Sequence, residues 1–234
     1  MPALARRAFK PVYWLYYSLL FGRRFPGAAW LQDRVWAWER ATGRGDAPAA
    51  KGDWEEQYRA GHWAFMRELD ELARYGVIAV FVQRLARGGA VLDVGCGEGL
   101  LVDQLRPYGY RRYLGVDVSE AAVAQAAARV DATTAFVARD AEGAAPPPGP
   151  WDVVVFNESV YYFHQPLATL QRYETVLAPV GAFVVSTFHS RRADAVVRAL
   201  LGRYRLLEET TVSNAKGSWT VRVLAPPQEA VTSR

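Results

Sequence analysis

The stretch "AVLDVGCGEGLL" (residues 90–101) decides how this chain is read, because an apolar run ends on an acid and three of the next six residues are glycine. Ala90 to Val94 is short and apolar and predicts a buried parallel strand, while Leu100 to Leu105 resumes a spacing that suits a helix. The strand-to-helix turn falls on Gly95, Gly97 and Gly99. Glycine there permits positive φ and lets a ligand touch the main chain, and the free amides of the following helix favour polar or anionic groups. The stretch is expected to be a ligand loop.

Spacing narrows the ligand. A dinucleotide fingerprint runs G-x-G-x-x-G, whereas these glycines run G-x-G-x-G before Leu100. A phosphate-cradling loop would end in Gly-Lys-Ser/Thr, and Glu98-Gly99-Leu100 supplies none of that. Asp93 would be a poor neighbour for a pyrophosphate and a good one for a cation.

These residues resemble a known family. "VLDVGCGEG" is similar to the first motif of class I S-adenosylmethionine-dependent methyltransferases, and three further stretches follow in the family's order. "YLGVDVS" (113–119) resembles the second strand, "AFVARDAEG" (135–143) the third-strand motif, and "WDVVVFNESVYYF" (151–163) the fourth strand with its following loop. The resemblance implies that Asp93, Gly95, Cys96 and Gly97 meet the cofactor. It further implies that Asp117, with Val118 beside it, grips both ribose hydroxyls, that Asp140 and Ala141 edge the adenine, and that Asn157 and Glu158 lie near the reactive methyl. "GAFVVSTF" (181–188) predicts a fifth strand after a helix from about 166 to 177. Residues 203–212 and 218–225 predict two strands joined by the turn-rich "SNAKG". A closing antiparallel hairpin belongs to the methyltransferase sheet and not to a simple dinucleotide fold. The expected fold is thus α/β, a doubly wound, mostly parallel seven-stranded sheet with a helical cap before it.

Four segments are expected: 1–44, basic and aromatic; 45–88, linker and helical cap; 89–225, the S-adenosylmethionine-binding domain; and 226–234, a tail. A chain of 234 residues, 51% apolar, can bury one such domain with an appendage. The first segment holds eight basic residues against Asp33 and Glu39, an excess of six, so the net charge of +4 leaves the other 190 residues at −2. That balance argues against a nucleic-acid partner. "FKPVYWLYYSLLFGRRF" suits a helix lying at a bilayer interface, and its uncharged run is too short to span one. Peripheral membrane contact through residues 1–44 and packing on the catalytic domain or in a homodimer are the competing expectations. A single cysteine excludes an internal disulfide and a cysteine-based metal cluster, so a cytoplasmic setting and no metal are expected. Residues 41–53 read as an exposed linker.

"WEEQYRAGHWAFMRELDELARYGVIAVFVQRL" (54–85) is aromatic and then helix-periodic. It resembles the cap of small-molecule methyltransferases, which implies that Tyr58 and Trp63 cover the cofactor and that Arg74 meets its carboxylate. The loop "FNESVYYF" resembles that of nodulation-type sugar N-methyltransferases, which points to a small, glycan- or lipid-like acceptor. The sulfonium is already a strong electrophile, so the protein mainly aligns an acceptor lone pair. An alcohol acceptor usually needs a base and a neutral amine does not. Candidates for that chemistry are His164, Glu158, His189 and Tyr161, and the acceptor atom stays open between N and O. Two other classes stay open as well: an NAD(P)-dependent oxidoreductase, disfavoured by the glycine spacing, and a non-catalytic scaffold, disfavoured by the intact acids and glycines.

Overall fold

The computed structural model describes residues 51–214 and 216–227, with positions 26, 27, 30, 31, 34 and 35 ahead of them. Segment 1–44 and the tail 226–234, with the expectations attached to them, lie almost wholly outside the described residues. Within them, α1 (Lys51–Arg59), a short 3-10 turn (Ala64–Arg67) and α2 (Leu69–Ala86) precede a sheet that alternates with helices. The order runs β1 (Ala90–Val94), α3 (Leu100–Leu105), β2 (Arg112–Asp117), α4 (Glu120–Ala126), β3 (Thr134–Ala138) and β4 (Trp151–Asn157). Then come α5 (Pro166–Glu174), β5 (Leu177–Phe188), α6 (Arg191–Leu201), β6 (Arg205–Asn214) and β7 (Gly217–Ala225).

The seven strands lie in the order β3-β2-β1-β4-β5-β7-β6. The first five pair in parallel, and β7 pairs antiparallel with both β5 and β6. The α/β class, the seven strands and the closing hairpin agree with the sequence. Several boundaries do not; β6, for one, runs Arg205–Asn214 against the expected 203–212. α1 begins at Lys51, inside the stretch read as linker, and β5 begins at Leu177, where a helix was expected to end.

Alternation along each strand splits the core into two layers. Val91, Val153, Val155 and Val184 meet Ile78, Phe81 and Val82 of α2 and Leu101 and Leu105 of α3. Leu92, Val154, Phe156 and Phe183 meet Leu170 and Tyr173 of α5 and Leu200 of α6. All five residues of β1 are buried, as a parallel strand covered on both faces requires. The strand order reverses between β1 and β4, which opens a crevice at their carboxyl ends, where open α/β sheets bind ligands.

Candidate functional site

A cavity of about 600 Å³ fills that crevice, within the usual range for small-molecule and cofactor sites. Its floor is the glycine loop. Gly95 and Gly97 have φ of +77° and +53°, which side-chain-bearing residues seldom adopt. A Cβ on Gly95 would strike Ser159, and one on Gly97 would lie 2.6 Å from the Tyr58 hydroxyl, so only bare backbone fits. Asp117 ends β2 beside this loop, its carboxylate accepting from the Gly97 amide at 2.8 Å and the Ser119 amide at 3.0 Å. Burial raises the Asp117 carboxyl above its ordinary range, and those amide bonds oppose the rise. Cys96 lines the floor, its thiol pushed well up by burial, so it is a fitted small side chain rather than a nucleophile.

Along the β3 edge stand Val118, Asp140 and Ala141. Two residues on, Glu142 forms a clasp that the sequence did not disclose. Its carboxylate accepts from the His164 and Gln165 amides, each at 2.9 Å, and from the His164 ring at 3.1 Å. Burial opposes ionisation of Glu142, but these bonds prevail and lower its pKa. Arg172 reinforces the clasp by donating to the Glu142 and Ala144 carbonyls.

The roof is aromatic. Trp54 lies 5.8 Å from Trp63, which lies 6.1 Å from Tyr58, and Trp54 meets Tyr162 edge-on at 4.8 Å. This cap is pinned to α4: Glu55 accepts from the Ser119 hydroxyl at 2.7 Å and the Ala121 amide at 3.2 Å, and Gln125 donates to the Tyr58 carbonyl. Met66 and Tyr75 complete the wall, and neither stood out in the sequence.

At the β4 end, Asn157 and Glu158 line the cavity. Glu158 adopts φ +55° and accepts from Ser186 Oγ at 2.5 Å, the Tyr161 hydroxyl at 2.7 Å and the Phe188 amide at 3.0 Å. Tyr161 itself is buried behind the wall, and burial holds its hydroxyl well above the usual tyrosine pKa. His164 is an exposed rim residue. His189 continues the β5 ladder to the Ser218 carbonyl and turns its ring to Thr220 at 2.7 Å, outside the lining.

Two expected ligand contacts likewise sit behind the surface. Asp93 shares the strand face of Val91 toward α2 and α3, is 1% exposed, and accepts from the Tyr113 hydroxyl at 2.6 Å. Burial pushes it up to about 7, and its second oxygen has no partner among the described residues. Arg74 is 2% exposed, pairs with Glu71 at 3.0 Å and donates to Asn157 at 2.5 Å, with its Nε unpartnered among the described residues. The lining carries Glu98, Asp117, Asp140, Glu142 and Glu158 against Lys51, Arg139 and Arg172, an acidic excess that, with the aromatic roof, suits a cationic ligand.

A family model described as a methyltransferase domain matches residues 61–217. The chain belongs to that family. A ubiquinone biosynthesis O-methyltransferase of Ralstonia nicotianae is 33% identical over 121 residues, 49% of either chain, so this methyltransferase chain spans about half the length of that curated relative. Among solved structures, the N-methyltransferase NodS of Bradyrhizobium japonicum WM9, in complex with S-adenosylhomocysteine, superposes with a TM-score of 0.63 at 18% identity, over 77% of this chain and 100% of that one. The 1,6-didemethyltoxoflavin-N1-methyltransferase of Burkholderia thailandensis, with bound 1,6-didemethyltoxoflavin and S-adenosylhomocysteine, gives a TM-score of 0.62 at 20% identity over 76% of this chain and 87% of that one. At such identities the likeness is one of fold. The glycine cradle, the terminal acid of β2 and the acidic, aromatic lining fit S-adenosylmethionine as the cofactor.

Proposed function

We propose that this methyltransferase moves a methyl group from S-adenosylmethionine to a nitrogen or oxygen of a small-molecule acceptor. The carrying observation is that one cavity joins a backbone cradle at Gly95 and Gly97, the carboxylate of Asp117 and an aromatic roof of Trp54, Tyr58 and Trp63. When bound, the cofactor supplies a methyl already activated as an electrophile. The chain's own work is binding, orientation and exclusion of water. In this reading Gly95, Cys96 and Gly97 offer main chain, Asp117 takes the ribose hydroxyls, Val118, Asp140 and Ala141 edge the base, and Asn157 faces the reacting end. Tyr58 and Trp63 close the site from above. Asp93 and Arg74 act from behind the wall, where each keeps a polar atom without a partner among the described residues. Residues 45–88 serve as cap and 89–225 as catalytic domain.

The groups nominated as proton acceptors favour nitrogen. Glu158 is engaged by three donors, His164 is tied to Glu142 at the rim, and His189 is bound to Thr220 outside the cavity. A neutral amine needs no such group. The flat faces of Trp54 and Tyr162 suit an acceptor with an apolar side, as a glycan or a lipid-like molecule has. Transfer of labelled methyl to a panel of amino sugars and amines, run beside matched alcohols and phenols, tests this. Labelled amines are the expected product, and labelled alcohols alone would reverse the choice of atom. Among the described residues no helix is long and apolar enough to cross a membrane.

A further inference from the structure

Glu158 is the one acid of the post-strand loop, and its surroundings differ from those of a group waiting for a proton. Oε2 accepts from both the Tyr161 hydroxyl (2.7 Å) and the Phe188 amide (3.0 Å), while Oε1 accepts from the Ser186 hydroxyl (2.5 Å). These donors come from two places, the turn after β4 (Tyr161) and the end of β5 (Ser186 and Phe188). The backbone of Glu158 is held left-handed, φ +55°, and its amide donates to the Ser186 carbonyl at 3.2 Å. Strained geometry of this kind persists where surrounding contacts over-determine it.

The held groups lead directly to the acceptor wall. Tyr161 packs tilted against Tyr162 at 4.6 Å, and Tyr162 meets Trp54 of the cap at 4.8 Å. Arg192 donates to the Tyr161 and Phe163 carbonyls at 2.6 and 2.7 Å and fixes the same turn from α6. We infer that Glu158 is a positioning residue: its carboxylate ties the turn after β4 to the end of β5 and so sets the Tyr162–Trp54 wall, and it is not the proton acceptor of the reaction. This deepens the proposed function and rests on it only for what the wall receives.

Glutamine separates shape from charge. Its carbonyl oxygen can keep Tyr161 and Phe188, while its amide can donate to Ser186 Oγ, whose hydroxyl rotates. Amide hydrogen exchange at Phe188 and the Trp54 indole N–H resonance are read on the unliganded full chain. In Glu158→Gln, Phe188 exchange is expected within about threefold of the wild type and the Trp54 signal in place, whereas Glu158→Ala speeds exchange at least about tenfold and moves the signal, as loss of charge-assisted bonds implies. Should Glu158→Ala not fold, Tyr161→Phe removes one donor and is expected to move the Trp54 signal alone. Unchanged exchange in Glu158→Ala, an unmoved signal in Tyr161→Phe, or glutamine behaving as alanine does would overturn the inference. S-adenosylhomocysteine titration of the wild type runs in parallel. Failure there removes the proposed cofactor while leaving the Glu158 result standing.

Discussion

The two sides of the cavity are built in different ways. At the ends of β1 and β2 the contacts span short stretches: Asp117 reaches Gly97 at the cavity floor, and behind it Tyr113 reaches Asp93, across 20 positions each. At the ends of β4 and β5, the wall hangs on partners far apart in the chain: Arg74 reaches Asn157 over 83 positions, Glu158 reaches Ser186 over 28, and Lys216 reaches Glu71 over 145. The first side is a backbone shape backed by single acids. The second is a buried charged network, and its energetics should be correspondingly more fragile.

The largest expected effect tests that fragility. Glu71→Ala leaves the Arg74 guanidinium in a site 2% exposed without its carboxylate, and removal of one partner of a buried pair typically costs about 3–5 kcal/mol. Chemical denaturation should show a loss of that order, and a change below about 1 kcal/mol, the range of an exposed pair, would mean that the network is not buried in solution.

On the glycine-loop side the expected signature is pH-dependent. Burial raises Asp93 from 3.8 to about 7, so between those values the folded state holds a proton that the unfolded state has lost. Stability from this group is full below about 4 and is lost as pH rises toward 7. Asp93→Asn should therefore melt higher than the wild type at pH 8, with the gap closing toward pH 4. A constant gap across that range would show that Asp93 titrates normally.

Affinity comes next. Asp117→Ala removes a charged acceptor and should weaken S-adenosylhomocysteine binding by about 1.5–3 kcal/mol, roughly ten- to a hundredfold. Unchanged affinity would take Asp117 out of the site. The smallest effect belongs to the seam that joins cap and sheet. Ser119 caps α4, accepting from the Ala122 amide at 3.1 Å, and also donates to Glu55. Ser119→Ala should cost about 1 kcal/mol in thermal unfolding, and no measurable cost would mean that the cap holds without it.

The same contrast explains what could be read from the chain. β1 and α3 match their predicted bounds because an apolar run, an acid and glycines lie in one window. Asp117 and Asp140 are legible because one ends a strand and the other follows a strand by two residues, each in a short motif. Asp93 lies in the most informative stretch of all, yet it points to α2 and α3 and not into the cavity, since one strand position decides the face. No local pattern tells that Glu158 will meet Ser186, that His189 will turn to Thr220 across the hairpin, or that Arg74 will be enclosed against Asn157. Those outcomes depend on the register of β5 against β4 and β7 and on how α2 lies on the sheet. Met66, in the short 3-10 turn, and Tyr75, on α2, carry no local mark of the cavity they line for the same reason. Glu142 was within reach, two residues past Asp140, but its partners at His164 and Gln165 are more than 20 positions away.

Isothermal titration of the full chain with S-adenosylmethionine, S-adenosylhomocysteine and NADH tests the central claim most directly. Saturable binding of the two adenosyl compounds, and none of NADH, is the expected result. Binding of NADH alone would contradict it and turn the cradle of Gly95 and Gly97 over to hydride chemistry.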